Sequence, residues 1–344
     1  MAEGKEIRFP VSWGYIAGRS YGDPFGHPVL AIHGWLDNLG SFQPLIPHLL
    51  SGTNLHIVAI DEPGCGLSSH KPPGSDYSRW GHVKELKRII DHMNWKEVTL
   101  IGHSLGAGYS LVFAAVYPEL VKRMVLIDLP KPLTSSAESN WAARLPKAIQ
   151  KHIDYDMLFM KDPTLESTAR VYDESAALSK VMEGHGNSLT GLSCPTFISN
   201  MTYDIVIIFH SLPPVSAEES ARILMQRGTK KQGGGLIFTR DIRQKLPSLD
   251  PAPTEEVMLR FVSRIRCDLL VIRASQGAYP VPSSVRQKYY SLYERNCRLF
   301  RDVLLDGTHH LHMNNPETVG PAINQFLAES FKLQSGLTST KSTL

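Results

Sequence analysis

Cysteine is scarce and scattered in this 344-residue chain: Cys65, Cys194, Cys267 and Cys297 form no Cys-x-x-Cys pair and have no matching histidine ladder. That pattern argues against a disulfide framework or a zinc site and fits a reducing compartment. An excess of one charge is also lacking. The 36 Lys and Arg nearly balance 33 Asp and Glu, a formal +3 with no run of like charges, so no nucleic-acid partner is expected. No apolar run nears the roughly 18 residues that cross a bilayer. The segment Met1-Ala2-Glu3-Gly4-Lys5-Glu6 lacks the apolar core of a signal peptide. The expectation is a protein without a transmembrane segment, located in the cytoplasm. The peroxisome is the alternative, because Ser342-Thr343-Leu344 approaches a Ser-Lys-Leu address without its basic middle residue.

What remains has globular composition, 42% hydrophobic and 20% charged, which sets disorder aside. Short apolar runs recur at Val29-Leu30-Ala31-Ile32, Ile57-Val58-Ala59-Ile60, Val98-Thr99-Leu100-Ile101 and Met124-Val125-Leu126-Ile127. Continuous runs of this length suit parallel strands covered on both faces. Between them, Val83, Leu86, Ile89, Ile90 and Met93 fall at helical spacing, and Leu105 to Tyr117 reads as a buried helix stopped by Pro118. The rhythm is that of an α/β fold: a mostly parallel central sheet with helices on both faces.

From 131 to 264 the pattern turns to helices and loops, with Gly233-Gly234-Gly235 and one ambiguous apolar run, Ile205 to Phe209. Strand patterns resume at Asp268–Arg273 and Leu299–Leu305. The expected organisation is a core of residues 1–130 and 265–332, a helical cap of 131–264 inserted over the carboxyl edge of the sheet, and a flexible Ser/Thr-rich tail of 333–344. The cap carries Trp141, Met157, Phe159, Met160, Tyr172, Met182, Met201, Tyr203, Phe209 and Met225. Most are expected in its own core, some along an apolar acyl pocket.

The chemistry concentrates at Gly102-His103-Ser104-Leu105-Gly106. Gly-x-Ser-x-Gly between an apolar strand and a small-residue helix is the form of a nucleophile elbow, which lifts a serine hydroxyl to the positive end of a helix. A serine needs a general base. Among 14 histidines, His309 in Gly307-Thr308-His309-His310-Leu311-His312 stands after the last strand, where the Ser, acid, His order of α/β-hydrolases places it. His310 and His312 read as packing residues, and no carboxylate-rich partner motif supports a metal site there. The acid must orient the imidazole. Many α/β-hydrolases carry it after the strand at 268–274, yet Ala274-Ser275-Gln276-Gly277-Ala278 contains none. Asp128, after the Met124–Ile127 strand, is the expected acid; Asp268 lies at the wrong end of its strand and Asp306 too near His309. Backbone N–H groups of Trp35 and Leu105 are the expected oxyanion donors, and the His33 side chain reads as structural. No cofactor and no metal are called for.

His33-Gly34-Trp35-Leu36-Asp37-Asn38 with Ser41-Phe42 and Leu45-Ile46-Pro47, Asp61-x-Pro63-Gly64-x-Gly66-Leu67-Ser68-Ser69, Gln226-Arg227-Gly228-Thr229 with Arg240-Asp241, and the Gly307–Met313 segment carry a resemblance. Over about residues 8 to 330 the chain resembles the serine hydrolase-like proteins of the α/β-hydrolase superfamily, related to the insect hydrolase kraken. The resemblance implies the fold, a serine triad and hydrolase chemistry, with a peroxisomal or vesicular location associated with that branch. It also implies that the missing acid after the later strand is shared, which favours Asp128. The expected activity is an esterase acting on a small or medium apolar acyl substrate. Thioesterase, lipase and peptidase chemistry can use the same triad, and a non-catalytic binding protein on a hydrolase scaffold is the alternative from another class. Neither oligomeric state nor natural substrate follows from the sequence.

Overall fold

Val- and Ile-rich runs become strands here because both of their faces find cover. The computed structural model describes residues 3–135, 141–162, 170–184, 217–250, 252–278 and 281–339. Its strands are β1 (Lys5–Val11), β2 (Gly14–Gly22), β3 (His27–Ile32), β4 (Leu55–Ile60), β5 (Val98–His103), β6 (Val121–Ile127), β7 (Thr229–Gln232), β8 (Gly235–Phe238), β9 (Asp268–Gln276) and β10 (Phe300–Thr308). Eight form one sheet in the order β1-β2-β4-β3-β5-β6-β9-β10. β1 and β2 run antiparallel to their neighbours, and the rest of the sheet is parallel.

The helices are α1 (Ile46–Leu50), α2 (Arg79–His92), α3 (Leu105–Val116), α4 (Trp141–Lys161), α5 (Glu174–Gly184), α6 (Ala217–Gly228), α7 (Glu255–Val262), α8 (Ser283–Asn296), α9 (Leu311–Asn314) and α10 (Pro316–Ser339). Alternate strand residues feed two cores. Leu30, Ile32, Val58 and Ile60 pack with Leu86, Ile89 and Phe113 of α2 and α3. Val29, Ala31, Ile57 and Ala59 pack on the other face with Leu49, Ile323 and Phe326 of α1 and α10. Ser78 caps α2 by accepting from Gly81 N, and Val83, Leu86, Ile89 and Ile90 are buried as their spacing requires.

Between β6 and β9 the described chain holds α4 to α7 and, beyond the helices and loops expected there, the β7–β8 hairpin. Gly233 and Gly234 close it with φ of 57° and 82°, a left-handed turn that glycine adopts without a Cβ penalty. Ala177, Val181, Ala221, Leu224 and Met225 form a separate small cluster with Tyr172, Met182 and Phe238 beside it. Met157 and Met160 of α4 are exposed instead, while Met201, Tyr203 and the Ile205–Phe209 run lie outside the described residues. Helix α7 packs its Met258 and Val262 into the sheet's own core. Helix α10 extends through Ser339, into the segment expected to fray; residues 340–344 are outside the description.

One buried ion pair ties the insertion to the sheet. Arg227 of α6 donates to Asp61 Oδ2 through Nε at 3.0 Å and Nη2 at 2.8 Å, and to Glu6 through Nη1 at 2.7 Å. Asp61, 0% exposed, also accepts from the backbone of Leu39 and Leu67. Gly66 makes this possible, since a Cβ there would stand 2.3 Å from Asp61 Cγ. Removing one partner of a buried pair leaves a desolvated charge behind, at a cost of about 3 kcal/mol or more. Arg227→Ala is therefore expected to lower unfolding stability by about that amount in a urea titration at neutral pH; a loss below about 1 kcal/mol would contradict this account.

Candidate active site

Ser104 stands at the sheet's carboxyl edge, between β5 and α3, with φ 50° and ψ −119°. A non-glycine residue there is strained, and the strain is held by hydrogen bonds from Ser104 N to Ile127 O (2.9 Å) and from Gly108 N to Ser104 O (3.1 Å). The flanking glycines are demanded by close approach. A Cβ on Gly102 would lie 2.6 Å from Ala107 Cα, and one on Gly106 2.2 Å from Ile32 O. Gly106 thus lets the start of α3 sit directly against the end of β3. That packing brings Leu105 beside the His33-Gly34-Trp35 loop, the two places from which oxyanion donors are expected.

Asp128 follows β6 with φ 51°, and is 5% exposed. Its Oδ2 lies 2.6 Å from His309 Nδ1. The carboxylate also accepts from Ala274 N on Oδ1 and from Ala278 N on Oδ2, each at 3.0 Å. The acid-free stretch from Ala274 at the end of β9 to Ala278 is therefore the cradle of the Asp128 carboxylate, which follows β6. Gly277 clears the space, because a Cβ on it would stand 2.3 Å from Asp128 Oδ1. Asp268 and Asp306 are engaged elsewhere. Asp268 pairs with Arg298 and accepts from Ser330, and Asp306 accepts from Ser275 Oγ at 2.6 Å.

Burial pushes the Asp128 carboxyl up from 3.8 to about 7, against the pull of the two backbone N–H groups and of nearby His103 and His310. An Asp128 that is to orient a neutral imidazole must be ionised. Protonation as pH falls through about 7 removes that state, so the logarithm of kcat/KM is expected to drop with unit slope below about pH 6 and to level above about pH 8. A flat profile from pH 5 to 8 would contradict it. For stability the sign reverses: in the window between 3.8 and about 7 the folded chain keeps a proton that the unfolded chain has released. Asp128 thus favours folding less as pH rises through that window.

The ties behind the elbow carry no local sequence signal. His103 Nε2 donates to His309 O at 3.0 Å, joining the Ser104 turn to the His309 loop. Its Nδ1 lies 3.5 Å from Asp37 Oδ2, and His310 Nε2 lies 3.3 Å from the same oxygen. Gly34 admits this cluster, since its Cβ would come within 2.8 Å of His103 Nδ1. Asp37, His103 and His310 are the described residues whose donor atoms could gather on a metal ion, all within 4.8 Å of one another. A closed structural zinc site takes four ligands, and these three already hold the Asp37 and His309 loops to the elbow. Burial holds His312 well below the usual imidazole range, hence neutral. The structural reading of His33 is borne out: its Nε2 accepts from Glu62 N at 2.9 Å, and Nδ1 donates to Gly34 O at 2.7 Å. Trp35 is held by its own indole, which donates to Gln244 O at 3.0 Å.

The model of the alpha/beta hydrolase fold family matches residues 27–214. A serine hydrolase-like protein of Danio rerio is 31% identical over 335 residues, covering 94% of this chain and 88% of its own. A probable serine hydrolase of Drosophila melanogaster is 33% identical over 329 residues, covering 95% and 88%. The crystal structure of a hypothetical protein from Pseudomonas aeruginosa PAO1 superposes with a TM-score of 0.71 at 28% identity, over 95% of this chain and 99% of that one. A strained serine between two sterically required glycines, on a sheet of this order, agrees with all three: the chain is a member of the alpha/beta hydrolase family and of its serine hydrolase-like branch.

Proposed function

We propose that this hydrolase cleaves an ester-type bond of a small or medium acyl substrate through a Ser104–His309–Asp128 triad and an acyl-enzyme. The observation that carries the reading is the 2.6 Å contact between His309 Nδ1 and Asp128 Oδ2, with both residues beside the strained elbow. Asp128 holds the proton of His309 on Nδ1, which leaves Nε2 as the base. His309 takes the Ser104 proton as the hydroxyl oxygen attacks the carbonyl carbon. The negative charge on the carbonyl oxygen is met by the N–H groups of Trp35 and Leu105, the second at the positive end of α3. Collapse expels the alcohol, which receives the proton from His309. Water then repeats the sequence on the acyl-enzyme and releases the acid.

In this reading residues 131–264 act as the cap over the carboxyl edge, and its apolar side chains favour an apolar acyl group. A protein without a transmembrane segment, in the cytoplasm or the peroxisome, accords with this chemistry. In the described residues no helix is long and apolar enough to cross a membrane.

The test is a rapid-mix experiment with a p-nitrophenyl ester. A burst of p-nitrophenolate, and an acyl mass increment on the Ser104 peptide after acid quench, are the expected results. Turnover without an adduct on Ser104 would overturn the covalent mechanism. A folded protein with neither turnover nor adduct would favour a binding protein on this scaffold.

A further inference from the structure

Asp37, His103 and His310 are buried together where the ends of β3, β5 and β10 meet. Asp37 Oδ2 lies 3.5 Å from His103 Nδ1 and 3.3 Å from His310 Nε2, and the three donor atoms lie within 4.8 Å of one another. Both contacts are long for N–H···O bonds, which centre on about 2.9–3.0 Å; the His309–Asp128 contact is 2.6 Å. They fit a different spacing. Ligands bound to zinc at roughly 2.0–2.1 Å in a tetrahedron stand roughly 3.3 Å apart. An octahedral ion with the same bond lengths would bring its neighbouring ligands to roughly 3.0 Å.

Proton positions point the same way. A carbonyl can only accept, so His103 carries a hydrogen on Nε2, which donates to His309 O. In a neutral His103, Nδ1 is then a bare lone pair, and it faces the Asp37 carboxylate. Two acceptors turned on each other in a buried place are unfavourable. A second proton on His103 would act across 3.5 Å, beyond ordinary hydrogen-bond range, whereas an ion bonded to both atoms closes the gap. The Nε2 bond to a backbone carbonyl is also the tie that orients metal-bound imidazoles. Gly34 keeps side-chain atoms away from the donors, since a Cβ there would stand 2.8 Å from His103 Nδ1 and 3.1 Å from Asp37 Oδ2. His312 lies alongside, its ring centroid 4.1 Å from that of His103. Both of its nitrogens are buried with no hydrogen-bond partner among the described residues. A buried imidazole in that state calls for a reason, and a fourth ligand position supplies one.

We propose that Asp37, His103 and His310 bind one zinc-class divalent ion, with His312 turning to the fourth position, and that the ion clamps the Trp35 loop, the Ser104 turn and the His309 loop together. Imidazoles with a single carboxylate suit zinc and its neighbours better than calcium or magnesium, which take oxygen ligands. Asp37 and His103 come from distant segments, so the set forms no local motif. The ion's role is structural and it holds no reacting atom, so this inference stands apart from the hydrolase reading.

The experiment uses the full-length protein produced in medium where Co²⁺ replaces zinc, so that the ion is present while the chain folds. Cobalt absorbs strongly in the visible in a tetrahedral site and weakly in an octahedral one. Wild type is expected to hold one cobalt per chain, by elemental analysis, with the tetrahedral spectrum, and to melt at a lower temperature after chelator treatment. His310→Ala should lose the ion, the visible band and the chelator effect. His310→Cys should keep the ion and add a near-ultraviolet thiolate-to-cobalt band, which a residue that only packs would not produce. A wild type without bound cobalt, an octahedral spectrum, or a band that persists in His310→Ala overturns the proposal; the last would place the ion on other histidines. If His310→Ala does not fold, His310→Cys decides: bound cobalt with the thiolate band supports the site, and bound cobalt without it overturns the site. None of these readings depends on ester turnover.

Discussion

Asp128→Asn is expected to reduce kcat by roughly 10⁴-fold while the chain stays folded. The argument lies in donor and acceptor counts. The carboxylate accepts three hydrogens, from His309 Nδ1, Ala274 N and Ala278 N. An asparagine offers one acceptor oxygen and sets an N–H₂ against at least one of those donors. Whichever way the amide is turned, either the cradle or the imidazole loses its partner. If the amide donates to His309, Nδ1 becomes an acceptor and the proton moves to Nε2, where the base is needed. Steady-state kinetics on the purified variant measure the effect. A loss below about tenfold would mean that another group orients His309, and Asp306, fixed by Ser275, would be the next acid to test.

Ser104→Ala should have a larger effect, roughly 10⁵- to 10⁶-fold in kcat, since the residual rate then comes from binding and oxyanion stabilisation alone. Its effect on stability has a definite sign as well. Ser104 is held at φ 50° and ψ −119°, and alanine meets the same backbone penalty, so the substitution does not relieve it. Glycine does. Ser104→Gly is therefore expected to be as inactive as the alanine variant but more stable by about 1 kcal/mol, because the left-handed strain disappears. Thermal denaturation of the two variants side by side reads the difference. Equal melting temperatures would argue that the elbow stores little strain. His309→Ala belongs with these variants: its effect and that of Ser104→Ala should not add, as expected of groups that act as one unit.

Much of this site was legible in the sequence because its signals are local. Gly102, Ser104 and Gly106 lie within five residues, and each glycine has a steric reason that a strand-to-helix turn implies. The strands from β3 to β6 announced themselves as apolar runs because both faces of each are covered. Asp128 could be nominated because the usual position is empty and a carboxylate ends the neighbouring strand. What completes the site is long-range and leaves no period. The Asp128 cradle spans 146 and 150 residues to Ala274 and Ala278, and Gly277 was the available hint, a small residue where a carboxylate must enter. The His103 to His309 bond spans 206 residues, and Arg227 reaches Asp61 across 166. β1 and β2 escaped notice for another reason: at the sheet's edge β1 mixes charged and apolar residues and is interrupted by Pro10, so it reads as loop until Lys5–Val11 is seen paired with Gly14–Ser20.

The most direct test of the central claim, an activated Ser104 served by Asp128 through His309, is the second-order rate of labelling by a fluorophosphonate probe. It needs no knowledge of the natural substrate. Wild type is expected to label rapidly, Asp128→Asn to label slower by orders of magnitude, and Ser104→Ala not at all, with all three equally folded by circular dichroism. A folded wild type that resists the probe, or an Asp128→Asn variant that labels as fast as wild type, would contradict the account.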